Sequence, residues 1–451
     1  MADARDGSVS VQTVKLSVPA EVVRIVRRLE ESGFSTWAVG GAVRDALAGG
    51  NPEDWDLASS ARPADVQRTF RRTVPVGIAH GTVGVLGKDG HLYEVTTFRR
   101  DVETFGRKAR VAFADTLEED LERRDFTINA VAWHPLTGEL RDPHGGAADL
   151  RAAVLRTVGE PDQRFEEDRL RVLRALRFAG RFGLRVEERT WAAVRASAGR
   201  LGHLSAERIR EELYKVLQSR SPSAALRLYQ SAGVLGALYP ELQRCVGFSG
   251  SEGGDIWTHL LRTVDAVRPG RRTLRLAALL HDTGRPVTDS EGGEPDTEHA
   301  LAGAAIARQV AKRLRTANAE SDRIVHLIAM HSPIPSPDVA DAELRRWIRM
   351  VGTDYLRDLF RLRIADWRGR EPEEEPDRLL RLWKRTREVL ADRPPLSIAQ
   401  LAVDGSDLRS LGIAAGPRYG EILRDLLERV TDDPALNTRD SLLKIVREQL
   451  A

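Results

Sequence analysis

Apolar positions recur along this chain with two different periods. Across residues 19–31 they return every three or four residues, which predicts an amphipathic helix. Residues 36–39, 83–86 and 92–97 are short runs rich in β-branched and aromatic side chains, separated by Gly and Pro clusters, and predict strands. The stretch 14–150 therefore mixes helix and strand, whereas 151–240 has helical periodicity almost throughout. Residues 241–370 are helical and rich in histidine, and 371–451 form a further helical tail. Two stretches read as flexible joints: 369–377, acidic and with two prolines, and 247–254, rich in Gly and Ser. No internal repeat is present.

Length and composition narrow the class. A chain of 451 residues suggests two to four domains and can bury a core without disulfide staples. With 41% hydrophobic and 30% charged residues it reads as soluble and globular, which excludes collagen-like, disulfide-scaffold and wholly disordered chains. Cys245 is the single cysteine, so neither an intramolecular disulfide nor a multi-cysteine zinc site can form. That fits a reducing compartment, and a cytoplasmic location is expected. Residues 1–10 have no apolar signal core, and no stretch of about 18 apolar residues predicts a membrane span. Net charge is +2, but 62 of the 69 basic residues are arginine. Guanidinium groups suit phosphate recognition. A GC-rich coding sequence produces the same bias, so it decides nothing by itself.

The spacing of particular residues is more informative. Residues 39–57 read VGGAVRDALAGGNPEDWDL. A β run ends at Gly40–Gly41 and a helix starts at about Ala42, so backbone N–H groups can approach a phosphate, with Arg44 in the first turn to grip it. Asp54 and Asp56 are separated by one residue, and in a strand they share a face. Two such carboxylates can hold two Mg²⁺ ions at a nucleotidyl-transfer site. A lone Asp-x-Asp is usually a solvated turn. Thirteen residues beyond a Gly-Gly-x-x-Arg turn, it points to chemistry.

With those residues the chain resembles the nucleotidyltransferase superfamily of DNA polymerase β. It is most similar to class II tRNA CCA-adding enzymes and their bacterial poly(A) polymerase relatives. The resemblance implies an α+β fold: a polymerase-β-like head with a small mixed β-sheet over 14–150, then all-α neck (151–240), HD (241–370) and tail (371–451) regions. Gly41, Arg44, Asp54 and Asp56 take the positions of the family's first motif. LERRDFTINAVA (121–132) resembles the second, which puts Arg124 on the triphosphate or ribose and makes Asp125 an orienting residue. Asp142, Gly146 and Arg156 have the spacing of the hinge-like third motif. EDRLR (167–171) is followed by Arg174 and Arg177. On one helix, steps of three would line up Asp168, Arg171, Arg174 and Arg177 as a ridge. By resemblance, Asp168 and Arg171 mimic a base-pairing partner and select C or A, with Arg174 and Arg177 supporting nucleotide binding. LSAERIREELYKVL (204–217) resembles the neck motif, with Ser205 as N-cap and Arg208 pairing to Glu211 or Glu212.

Residues 98–113, FRRDVETFGRKARVAF, fall where CCA enzymes carry a loop used in switching from C to A. Here the segment is short and lacks the family's Tyr and His-Pro features, which leaves CC-only addition as an alternative. A-only addition and poly(A) synthesis fit the same motifs.

A second series of ligands follows. His259, His281–Asp282, His299, His331 and Asp366 are spaced along helical sequence, and five of the ten histidines fall within 259–331. Mixed imidazole and carboxylate ligands suit a divalent transition metal. The series resembles HD-domain phosphohydrolases. The resemblance implies His259, His281, Asp282 and Asp366 as ligands, His299 and His331 for a second metal or a phosphate, and phosphatase or 2′,3′-cyclic phosphodiesterase activity. Gly412, Gly416 and Arg418 lie in a stretch similar to the C-terminal RNA-binding part of bacterial CCA enzymes. The expected partners are tRNA, CTP and ATP. The rival of another class is an HD phosphohydrolase whose head binds RNA but is catalytically silent.

Overall fold

The computed structural model describes residues 12–105, 108–249, 254–288, 298–370 and 376–450. The central parts of both predicted joints, and residues 1–10, lie outside these. The chain divides into two compact units. The first comprises residues 1–216 and 224–238, and the second 217–223 and 239–451. The head and nearly all of the neck region fall in the first unit, and the HD and tail regions in the second.

The first unit is built on a mixed sheet. Its strands are β1 (Gln12–Thr13), β2 (Thr36–Val39), β3 (Asp56–Ser59), β4 (Thr73–Gly77), β5 (Thr82–Leu86) and β6 (Leu92–Thr97). The hairpin β7 (Arg99–Phe105) and β8 (Lys108–Phe113) follows, then β9 (Ala132–Trp133) and β10 (Glu139–Arg141). The sheet order is β1-β10-β9-β2-β3-β6-β5-β4, and β7 pairs only with β8. All its pairings are antiparallel except β3 with β6. One face packs on the helix Ala20–Glu31, whose Val22, Ile25, Val26 and Leu29 are fully buried against Leu57, Val83, Val85 and Val95. Strand alternation then sends the intervening residues to the opposite face. That face carries Asp56 and Glu94.

Helical segments complete the unit. Pro161–Glu167 and Leu170–Phe182 are separate helices, the second ending at Gly183 in the left-handed conformation. Asp168 sits at the break with an extended backbone (φ −148°, ψ 102°). It is therefore not part of a single helical ridge with Arg171, Arg174 and Arg177. The motif spacing fits a helix, but Asp168 terminates the first one instead. Where the Leu170–Phe182 helix meets Ala225, a Cβ on Gly180 would come within 2.4 Å of that residue's backbone nitrogen, so glycine permits the approach.

The regular elements of the second unit are helices among its described residues. Ile256–Ala266, Arg272–Leu280, Glu298–Arg313, Asn318–Ala329 and Thr353–Gly369 surround the histidine series. The tail forms its own small core from Leu408, Ile422, Leu426, Val430, Leu442 and Val446. No described helix is long and apolar enough to cross a membrane.

Candidate active site and metal cluster

Trp55 explains the Asp54–Asp56 arrangement. Its indole is buried against Trp133 and donates to the Pro52 carbonyl (3.0 Å). The flanking carboxylates are left exposed on the other side. Asp56 opens β3, while Asp54 lies two residues before the strand. The parallel register Leu57↔Val95 puts Asp56 beside Glu94 of β6. Desolvation in the cleft and the Glu94 carboxylate push Asp56 above the usual carboxylate range, with Asp54 adding to the effect and Arg124 opposing it. Glu94 is a site residue the motif reading missed. Its signal was present: a lone acid within the strand LYEVTT, with Tyr93 and Val95 buried on either side.

Asp56 and Glu94 line a cavity of about 570 Å³ whose walls carry seven arginines, among them Arg44, Arg124 and Arg171. Gly40 forms its rim with φ 74° as the N-cap of the helix Gly41–Leu47. A Cβ there would lie 3.1 Å from the Arg124 guanidinium and 3.9 Å from Asp56 Oδ2. Gly40 and Gly41 both line the cavity, and a Cβ on Gly41 would meet only Arg44, at 3.6 Å. Arg124 donates to Asp120 Oδ2 (2.9 Å), and the same buried carboxylate receives Arg123 Nε (3.2 Å). The Asp120-to-Arg124 spacing of four is the helical pairing distance.

A polar chain of Arg44, Asn129, Asp125 and Arg174 runs through the same lining. Asn129 accepts from Arg44 (2.6 Å) and donates to Asp125 Oδ1 (2.9 Å). Asp125 Oδ2 accepts from Arg174 Nε (2.7 Å). Burial works against the charged form of Asp125, but Arg174 and these hydrogen bonds outweigh it and hold its carboxyl below the usual range. Arg44 is buried, bonded to Asp45 as well as Asn129, and set over the rings of Phe178 (5.1 Å) and Phe182 (4.5 Å). Desolvation lowers its pKa, with Asp45 opposing.

Asp168 and Arg171 both line the cavity but do not pair with each other. Asp168 Oδ2 accepts from Arg208 (2.7 Å). Arg171 donates to Glu167 (2.6 Å) and to the Arg123 carbonyl (3.3 Å). Arg208 therefore reaches across to Asp168 and also lines the cavity. It does so instead of pairing along its own helix, because Glu212 is already engaged. That buried carboxylate accepts from Arg177 Nε (2.6 Å) and Lys215 (2.9 Å). Arg177 does not line the cavity. Arg174 does, while bonded to Asp125.

The third motif is a clamp within the head. Asp142 accepts from the amides of Gly146 (2.7 Å) and Ala147 (2.9 Å). A Cβ at Gly146 would fall 1.9 Å from the Thr127 carbonyl oxygen. Arg156 and Thr127 both donate to Asp149. Residues 98–113 form the β7–β8 hairpin, with 106–107 outside the described residues.

In the second unit the histidine series converges. His259 Nε2 lies 3.1 Å from Asp366 Oδ1 and 3.6 Å from Asp282 Oδ2, and His281 Nε2 is 3.5 and 3.6 Å from the same two atoms. Across Asp282, the Nε2 atoms of His299 and His331 each lie 3.4 Å from Oδ1. Two ligand triads thus share Asp282. The Nδ1 atoms of His281 and His331 face the carbonyls of Ala278 (2.9 Å) and Ile328 (2.6 Å), which leaves each Nε2 turned inward. Asp282 Oδ1 is buried without a hydrogen-bond partner, as expected of an atom that serves a cation. Burial works to raise the Asp282 pKa, but His281, His331 and Arg285 hold it well below the usual range. Burial pushes His331 down to about 4, so it presents a neutral ring at neutral pH. Gly284 sets the cluster tightly: a Cβ there would lie 2.1 Å from the His299 carbonyl oxygen. A cavity of about 240 Å³ opens beside His259 and Asp282. In the tail, Gly412 takes φ 80°, and Gly416 and exposed Arg418 flank the start of the helix Pro417–Asp432.

Family models match at residues 36–156 (Poly A polymerase head domain), 183–245 (probable RNA and SrmB-binding site of polymerase A) and 256–385 (HD domain). The CCA-adding enzyme of Lactobacillus delbrueckii subsp. bulgaricus is 30% identical over 441 residues, which cover 94% of this chain and 97% of that one. That of Latilactobacillus sakei is 45% identical over 217 residues, so this chain spans 54% of its length and the match covers 48% of this one. The crystal structure of the Bacillus stearothermophilus CCA-adding enzyme in complex with CTP superposes with a TM-score of 0.74 at 31% identity, covering 95% of this chain and 98% of the other. An intact carboxylate pair, an arginine-walled cavity and near full-length likeness on both measures lead to one assignment: the chain belongs to the family of bacterial CCA-adding enzymes.

Proposed function

We propose that the chain adds the terminal C, C and A to the 3′ end of tRNA from CTP and ATP, without a nucleic-acid template. The observation that carries this reading is the single cavity where Asp56 and Glu94 meet Arg124, Asp168 and Arg171. Asp54, Asp56 and Glu94 would hold Mg²⁺; carboxylate oxygens are the donors that ion prefers. Bound there, the metal would activate the 3′-hydroxyl and offset charge on the departing pyrophosphate.

The remaining work falls to the chain itself. Gly40 keeps space for the phosphates between Asp56 and Arg124, and Arg124 meets their charge. Asp120 holds that guanidinium in place. Asp168 presents acceptors and Arg171 donors to the base edge, so protein atoms discriminate C and A. Arg208 and Glu167, each bonded to one of the two, fix their orientation. Arg44 and Arg174 line the same cavity, held there by Asn129 and Asp125, and add to the positive charge that meets the nucleotide.

The second unit is assigned a metal-dependent phosphohydrolase activity on phosphate esters. His259, His281, Asp282 and Asp366 would hold one divalent transition metal, and Asp282, His299 and His331 a second. Asp282 Oδ1, buried and accepting no hydrogen bond, and the fixed Nε2 atoms fit that use. The tail, through Gly412, Gly416 and Arg418, is assigned to tRNA, held by shape and phosphate contacts.

The test is incorporation of labelled CTP and ATP into a tRNA transcript lacking CCA. Wild type should extend it, and Asp56→Ala should not. Equal incorporation by Asp56→Ala would overturn the assignment.

A further inference from the structure

The open face of the sheet continues beyond the cavity. Val74 of β4 stands opposite Gly84 of β5, and Gly84 opposite Glu94 of β6. Glu94 lies beside Asp56, which is opposite Val39. Paired residues share a face, so one row crosses five strands from Val74 to Val39, with the two carboxylates near its middle. On the cavity side of the carboxylates are Gly40 and the arginines. On the other side the cavity reaches Thr96 and Thr82 at one end of β6 and β5, and past Gly84 the surface is apolar. Val76 and Leu92 both fold over Gly84, where an added Cβ would come within 2.9 Å and 2.8 Å of them. Val74, Val76 and Leu92 are 43%, 45% and 44% exposed. Strand alternation buries Val83, Val85 and Tyr93 on the opposite face, so these three exposed residues are not part of the core.

We propose that Val76 and Leu92, over Gly84 and beside Val74, form the platform on which the 3′-terminal nucleotide of the RNA acceptor rests. This rests on the nucleotidyl-transfer reading of the head. The acceptor hydroxyl must reach Asp56 and Glu94, and the arginine-walled side is given over to the triphosphate. The approach left is across β5 and β4. Two strand spacings, about 10 Å, separate Val74 from Glu94. Exposed Arg71 and Arg72 lead into β4, on the side where an RNA backbone would arrive. Val and Leu side chains offer neither donor nor acceptor, so the platform cannot read a base. That suits an acceptor end whose last base is not the same for every addition, as sequence-tolerant single-strand surfaces require. Pairing of β4 with a second copy is disfavoured, because Pro75 removes an amide from this edge strand.

Two measurements test this. The first is KM of Val76→Ser/Leu92→Ser for CCA-lacking tRNA and, separately, for CTP. The RNA value should rise roughly tenfold while the CTP value stays within about twofold. An unchanged RNA KM, or equal rises in both, would overturn the platform. The second needs no turnover: wild-type protein is irradiated with RNA carrying 4-thiouridine at its 3′ terminus. The cross-link should map to residues 73–92, and mapping elsewhere, or no cross-link, would overturn the platform. Cross-linking at 73–92 without extension would sink the reaction assignment and leave the platform standing. Extension with the cross-link elsewhere would do the reverse.

Discussion

Replacing Arg177 by Met separates a structural role from a nucleotide-binding one. Arg177 is buried, donates to Glu212 (2.6 Å) and covers the Phe178 ring at 4.2 Å. Glu212 is fully buried, and its other partner is Lys215 (2.9 Å). Removing one partner of a buried ion pair typically costs about 3–5 kcal/mol, because the remaining charge stays out of water. Lys215 still compensates part of that charge, which places the loss near 3 kcal/mol. Loss of the cation–π contact adds roughly 0.5–1 kcal/mol. Met keeps most of the apolar stem, so little packing is lost. At about 2–4 °C per kcal/mol, the transition of the first unit should fall by roughly 7–16 °C in calorimetry. KM for CTP should stay within about twofold of wild type at a temperature where both are folded. A tenfold rise in KM with an unmoved transition would refute the reasoning and put Arg177 on the nucleotide. The effect also has a pH signature. Burial works against the charged form of Glu212, but Arg177 and Lys215 outweigh it and hold its carboxyl below the usual range. A lowered folded-state pKa stabilises above the unfolded value, about 4.3 for Glu, and that contribution is lost as pH falls through the folded value. The gap between wild type and Arg177→Met should therefore be level from about pH 8 to pH 5 and narrow below about pH 4.

Three further outcomes follow from the contacts described. Gly146→Ala should unfold or strongly destabilise the first unit, by more than about 3 kcal/mol in urea titration, since its Cβ would sit 1.9 Å from a backbone oxygen. Arg208→Ala should release Asp168 and raise misincorporation of A at the first two positions roughly tenfold, read by sequencing products, with a smaller effect on kcat. Asp282→Asn should reduce bound transition metal in the purified protein, measured by elemental analysis, and abolish phosphatase activity while CCA addition continues.

Sequence reading went furthest where chemistry is carried by local spacing. The Gly-Gly turn and the Asp54–Trp55–Asp56 alternation are local patterns, and the sheet and cavity are built around them. The convergence of His259, His281, Asp282, His299, His331 and Asp366 was legible because few residue types bind metal and they recur along apolar helices. What escaped were pairings between distant segments. Glu94 joins Asp56 only through a parallel register 38 residues away, which no local period reveals. Arg208 had two helical partners within reach, yet it bonds to Asp168, since Glu212 is drawn inward by Arg177. Asp168 read as the start of a helical ridge because steps of three fit a helix, but a break between two helices places it instead. Asn129, the link between Arg44 and Asp125, sits in a short apolar run where a core role was the natural reading.

The most direct test of the central claim uses three tRNA transcripts ending before CCA, after C and after CC. Each is given CTP, ATP or both, and products are resolved at single-nucleotide length. The account predicts that all three grow to the same CCA end and stop there, and that the CC-ended transcript needs only ATP. A halt after CC, with no A added to the CC-ended RNA, would contradict it and turn attention to the short β7–β8 hairpin.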